Sequence, residues 1–142
     1  MNQIYIEDVD LGDDVGPLVL EPTRDQLNAF TKVWGTSVGR FTSDEVAKSE
    51  GFTGVILPGN MSMAFLGQLL TGWCGYEGKL RRLDVDFRRS IQPGDKLNCT
   101  GIITDIEVVG QENQVTLDVF IETQKGERAL QGTAMVVLPS KS

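Results

Sequence analysis

Apolar positions along the 142-residue chain change their spacing once, past the middle. In the first half they recur every three or four residues. Leu27, Phe30 and Val33/Trp34 keep helical spacing, which predicts a helix burying one stripe, with Thr23 as N-cap after Glu21-Pro22 and Gly35 as its stop. Ser43-Asp44-Glu45 opens a shorter helix, with Ser43 as cap, Val46 and Ala47 inside and Gly51 as terminator. Ahead of both, Ile4 and Ile6 alternate with Tyr5 and Glu7, which predicts a short strand over Ile4–Val9 ending in the Gly12-Asp13-Asp14 turn. A second extended piece covers Pro17–Leu20.

The stretch Gly51–Trp73, GFTGVILPGNMSMAFLGQLLTGW, carries no charged side chain and runs from a Gly/Pro loop into an apolar helix. A helix apolar on every side calls for a sheet wrapped around it. Met61, Met63, Ala64, Phe65, Leu66, Leu69, Leu70 and Trp73 are therefore expected in a concave sheet face. Beyond this helix the period falls to two, through Leu83/Val85/Phe87, Leu97/Cys99/Gly101/Ile103, Val115/Leu117/Val119/Ile121 and Leu130/Gly132/Ala134/Val136/Leu138. Four strands follow from this, and the turn chemistry of Pro93-Gly94-Asp95, Gly110–Asn113 and Gln124–Glu127 predicts that consecutive strands are antiparallel. The fold class is α+β: one domain over residues 1–142, an antiparallel sheet around a long central helix. Open sheet edges and a second bare face predict a dimer or higher assembly.

Composition narrows the partners. Thirteen Lys+Arg against 20 Asp+Glu leave a net charge of −7, which repels phosphate backbones and anionic lipid surfaces, so neither nucleic acid nor membrane is an expected partner. Gly, Pro, Asn and Thr interrupt the uncharged stretch, and its helical part is too short to span a bilayer. Cys74 and Cys99 form no C-x-x-C pattern, so reduced thiols and a cytoplasmic location are expected, with no metal and no cofactor. The opening MNQIYIEDVD is acidic, without the basic and apolar regions of a signal peptide.

The chain has no histidine, which removes the commonest general base. What the residues do supply is a socket: the first N–H groups of the central helix, exposed by the loop before it, attract a carbonyl oxygen or an anion.

Three segments resemble the MaoC-like branch of the hotdog fold, which includes (R)-specific enoyl-CoA hydratases and acyl-thioester dehydratases. They are the opening YIEDVDLGDDVGPLVLEPTRDQLNAF, the middle segment GFTGVILPGNMSMAFL and the strand-turn DVDFRRSIQPGD, which is similar to an F-R-x-x-I-x-P-G-D signature. The resemblance implies an acyl-CoA or acyl-carrier thioester as ligand. Competent members carry an Asp-x-Asn-x-x-His motif after the first helix, whose Asp and His hold a water and move its proton. Anchored on Pro58-Gly59, those positions fall on Thr36, Val38 and Phe41, none of which handles a proton near neutral pH.

The oxyanion element of the family does match, so Gly59 and Asn60 inherit the role of polarising the thioester carbonyl by resemblance; the alternative is that Asn60 or Ser62 only caps the helix and Gly59 only permits a turn. Pro58, Met61 and Met63 are candidate pocket residues, with core packing as the other reading of the methionines. Arg88 and Arg89 are candidates for coenzyme A phosphates; otherwise they and Arg81-Arg82 are solvated strand charges paired with Asp84 and Asp86. Asp44, Glu45 and Glu50 stand near the vacated motif as a substitute base or as helix caps. Cys74 has no neighbour in sequence to activate it.

Two functions are compatible with this. In one, the chain is the non-catalytic member of a MaoC-like pair, binding the acyl thioester in a homodimer or beside a catalytic MaoC-like subunit. In the other it is an active hotdog enzyme, a hydratase, dehydratase or acyl-CoA thioesterase, whose base is Glu45, Glu50, Glu77 or a residue of a second subunit.

Overall fold

In the computed structural model, which describes residues 2–142, the predicted helices form where their caps stand. The first, α1 (Arg24–Trp34), opens on Thr23, whose Oγ1 accepts the Gln26 N–H at 3.1 Å while Gln26 Oε1 accepts the Thr23 N–H at 2.9 Å. It closes on Gly35, left-handed at φ 79°, a conformation that favours a residue without Cβ. Its buried stripe is narrower than predicted: Leu27 and Thr31 are buried and Phe30 half-buried, but Val33 is 90% exposed. The second, α2 (Asp44–Ser49), has Ser43 Oγ accepting the Val46 N–H at 3.3 Å. The third, α3 (Gly59–Cys74), is the predicted central helix, extended at its start to the loop glycine.

Five strands make one antiparallel sheet: β1 (Asp14–Leu20), β2 (Lys79–Phe87), β3 (Leu97–Val109), β4 (Glu112–Glu122) and β5 (Arg128–Leu138). Their spatial order is β1-β3-β4-β5-β2. The period-two runs of β3 and β4 turn inward as expected, with Leu97, Cys99, Ile103, Val115, Leu117, Val119 and Ile121 all buried. Helix α3 packs against all five strands, and Leu66, Leu69 and Leu70 join the inward strand residues in one core. Each such side chain stabilises the fold by about 1.5–3 kcal/mol.

Three expectations are corrected. The strand predicted over Ile4–Val9 is a 3₁₀ turn at Ile6–Asp8; the Asp8 carboxylate draws in the Tyr5 N–H at 3.0 Å and the Lys141 ammonium at 2.7 Å, and the Ile6 N–H finds Pro139 O, so no ladder forms. Strands β2 and β3 are not a hairpin, because β2 crosses the sheet to pair with β5. The Pro93-Gly94-Asp95 turn serves that crossover, tied by the Gly94 N–H to Pro22 O at 2.7 Å. Finally, α3 is not covered all round: Ala64, Gln68, Thr71 and Gly72 are exposed, and Met63, Phe65 and Trp73 only half-buried. Lack of charge in a helix does not require burial of every face.

Candidate functional site

The loop between α2 and α3 is held as firmly as a strand, and this fixes where α3 begins. Val55, Ile56, Leu57 and Pro58 are buried in succession. Three backbone N–H groups anchor them: Val55 to Asp44 Oδ1 at 3.0 Å, Ile56 to Arg40 O at 3.0 Å and Leu57 to Ile91 O at 2.7 Å. Burying this backbone without those partners would cost about 1–3 kcal/mol for each group left unmade.

At the end of the loop, Pro58 occupies the N-cap of α3, where it has no side-chain acceptor to offer the turn. Its carbonyl accepts the N–H groups of Met61 and Ser62 at 3.1 Å each. Asn60 Oδ1 accepts the Met61 N–H at 3.0 Å, and Ser62 Oγ donates back to Pro58 O at 3.4 Å. The N–H groups of Gly59 and Asn60 have no acceptor among the described residues. They lie at the positive end of a 16-residue helix.

A cavity of about 310 Å³ opens at this helix head. Gly59 and Ser62 form part of its floor, Phe41 and Phe52 come from the preceding segments, and Phe87 and Ile91 from the end of β2 and the residues after it. Gly59 is needed for close approach: a Cβ there would stand 3.1 Å from two ring carbons of Phe87. Three arginines, Arg40, Arg88 and Arg89, share the cavity, and among the described residues no carboxylate lines it. Arg88 and Arg89 also border an outer hollow of about 400 Å³ with Arg128.

The predicted residues divide. Gly59, Phe41, Arg88 and Arg89 meet at the cavity. Thr36 and Val38 do not line it; Thr36 Oγ1 accepts the Val38 N–H at 3.2 Å, closing a local turn. Pro58 is a buried cap, and Asn60 is exposed at the helix head. Met61 turns the other way, into a groove of about 620 Å³ between α1 and α3, and Met63 lines neither space. The methionines are therefore not walls of this cavity.

Arg40, Phe52 and Phe87 were not singled out from sequence. Arg40 stands beside Phe41 in the 3₁₀ turn Gly39–Phe41, so its neighbour was the signal. Arg81 pairs with Glu112 at 2.7 Å rather than with Asp84 or Asp86. Arg89 lies 3.8 Å from Glu127, and Arg88 forms no ion pair among the described residues.

Of the acids near Thr36–Phe41, Asp44 and Glu50 are engaged in ion pairs. Asp44 accepts the Val55 N–H and pairs with Arg24 at 3.1 Å, and these two contacts, the N–H first, hold its carboxyl below the ordinary carboxylate range. Glu50 pairs with Arg40 at 2.9 Å, Glu45 is exposed in the first turn of α2, and Glu77 lies past the far end of α3. Burial raises the thiol of Cys74, and pushes that of Cys99 up to about 12, so both stay protonated. The arrangement suits negative charge or a polarised carbonyl, and among the described residues no carboxylate lines the cavity.

No protein-family model and no curated protein sequence matches the chain. Solved structures do. The R-hydratase PhaJ1 from Pseudomonas aeruginosa superposes with a TM-score of 0.86 at 18% identity, over 98% of this chain and 88% of that one. The (R)-hydratase of A. caviae involved in PHA biosynthesis gives 0.81 at 22% identity, over 94% and 99%. The chain has the hotdog fold of these structures. This hotdog is also similar to a chain of the ChsH1-ChsH2 complex from Mycobacterium tuberculosis, with a TM-score of 0.81 at 12% identity over 91% and 98%. In it, the helix inside the sheet is α3 and the cavity lies at its head. Among the described residues, no helix is long and apolar enough to cross a membrane.

Proposed function

We propose that this hotdog binds an acyl thioester, of coenzyme A or an acyl carrier, at the head of α3 and does so without a proton-transfer pair of its own. The observation that carries the reading is the combination at the head of α3: Gly59 and Asn60 N–H groups without an acceptor among the described residues, Gly59 lining the cavity, and walls that hold arginines and phenylalanines but no acid among the described residues. Donors placed there stabilise a carbonyl oxygen and the negative charge it gains in an enolate. Phe41, where the resemblance puts the histidine, contributes only an aromatic wall, tilted against Trp34 with 6.2 Å between ring centres. Arg88 and Arg89 suit the phosphates of the carrier.

Such a protein works as the non-catalytic member of a pair, with a MaoC-like subunit that supplies the acid and base; a homodimer would bind the thioester without turning it over. The ChsH1-ChsH2 structure shows that a similar fold occurs in a complex of two different chains.

The test is an enoyl-CoA hydration assay on the wild type and on the triple variant Thr36→Asp, Val38→Asn, Phe41→His, alongside acyl-CoA binding by both. Binding by both proteins with turnover only in the variant is expected. Turnover by the wild type alone would show that another group supplies the base, and no binding of any acyl-CoA across a chain-length series would end the thioester reading.

A further inference from the structure

We infer that Arg40 makes the cavity at the head of α3 selective for an acyl group that carries a carboxylate of its own. This rests on the thioester site proposed above, and it assigns a ligand class within it.

Arg40 is fixed at its backbone, where its carbonyl accepts the Ile56 N–H at 3.0 Å. Its guanidinium is held by a single contact, Nη2 to Glu50 Oε1 at 2.9 Å. A guanidinium carries five N–H donors, so most of them stay free for a ligand. The Arg40 side chain is 44% exposed at the cavity's edge; its guanidinium carbon lies 6.0 Å from the Phe41 ring centre, Phe52 and Ile56 line the cavity beside it, and Arg88, Arg89, Ser62 and Ser90 share the same space. Glu50 is not among the lining residues, and among the described residues no other acid faces Arg40 across the cavity.

A neutral alkyl chain filling this space would strip water from the guanidinium and give back no acceptor, which penalises it. A carboxylate replaces the lost water with charge-assisted hydrogen bonds in the fork geometry that arginine favours. Selectivity then comes from both sides of the comparison, a gain for the acid and a penalty against the neutral chain. Arg88 and Arg89 remain for the carrier, since they extend to the outer hollow with Arg128.

The experiment is calorimetric titration of the full chain with two thioesters of matched length, butyryl-CoA and succinyl-CoA. Succinyl-CoA should bind at least about tenfold more tightly, the scale of a charge-assisted pair. Arg40→Gln should remove the difference by weakening succinyl-CoA while leaving butyryl-CoA as tight or tighter. Glu50→Gln, which releases the guanidinium, should widen it. Equal affinities in the wild type, or an Arg40→Gln variant that weakens both ligands alike, overturn the inference while the thioester site stands. If neither thioester binds, both readings fall. Should Arg40→Gln not fold, the wild-type comparison with Glu50→Gln still decides.

Discussion

The two ends of α3 are finished in opposite ways. At the tail, the side chain of Gln3 reaches across from the start of the chain: Nε2 donates to Cys74 O at 2.6 Å and Oε1 accepts the Glu77 N–H at 2.8 Å. The Cys74 thiol is buried beside them, facing the carbonyls of Thr71 and Gly75. At the head, a proline stands at the N-cap, the N–H groups of Gly59 and Asn60 have no acceptor among the described residues, and Gly59 lines a cavity. Helices α1 and α2 show that this chain caps helix starts with ordinary side chains, Thr23 and Ser43. Sealing a helix end is thus within this chain's means, yet the head of α3 is left open next to three arginines.

The tail is the place to break the comparison hardest. Gln3→Ala removes both links there and leaves a carbonyl and an N–H to water, at about 1–2 kcal/mol for the pair in this partly exposed position. Thermal unfolding should fall by roughly 3–8 °C, and acyl-CoA affinity should stay within about twofold because no contact at the head changes. A Gln3→Ala protein that unfolds normally but binds poorly would show that the two ends do not act separately.

The sequence tells these ends apart only in part. Loop glycine, proline and the uncharged helix after them are local signals, so the head of α3 could be located before any coordinates existed. The period-two runs similarly gave β3, β4 and β5 and their inward faces. Gln3 gave no such sign: it lies 71 residues from the carbonyl it caps, and a lone polar residue near a terminus has no pattern. The β2–β5 pairing was hidden for a related reason, since turn chemistry at Pro93-Gly94-Asp95 describes a bend but not which strand lies beside it. Arg40 is a lone charge with no pattern of its own in the sequence, and only the folded loop shows that Arg40 and Arg88, distant in sequence, line one space. Met61 and Met63 stand away from the cavity at the head of α3, Met61 lining the groove beside α1 instead, and a helix without charge gives no clue to which side faces which space.

At the head, the sharper test leaves the fold intact. Gly59→Ala places a methyl group 3.1 Å from the Phe87 ring, which is 54% exposed and free to give way. Alanine in a first helical turn stabilises by up to about 1 kcal/mol relative to glycine. Thermal stability should therefore hold or rise slightly. The displaced ring and the methyl narrow the approach to the free N–H groups, and acyl-CoA binding should weaken about tenfold, which is near 1.4 kcal/mol. A loss of stability with unchanged affinity would reverse the assignment of head and tail.

The smallest effect distinguishes the ends by pH. Asp44 holds the loop before α3 through the Val55 N–H, and its carboxyl is lowered first by that hydrogen bond and then by Arg24. A carboxyl lowered in the folded state supports the structure above its unfolded pKa of about 3.9 and loses that support as pH falls through the folded value. The link at Gln3 involves no titrating group. On acidification from pH 6 to pH 3, amide exchange corrected for its intrinsic rate should therefore quicken at Val55 before it quickens at Glu77. Asp44→Asn keeps a carbonyl oxygen for the Val55 N–H and gives up the ion pair with Arg24, so it should abolish the acid step at Val55 while leaving Glu77 unchanged. The same acid step in Asp44→Asn would mean that the loop is held by another carboxylate and that the head owes its order to something other than Asp44.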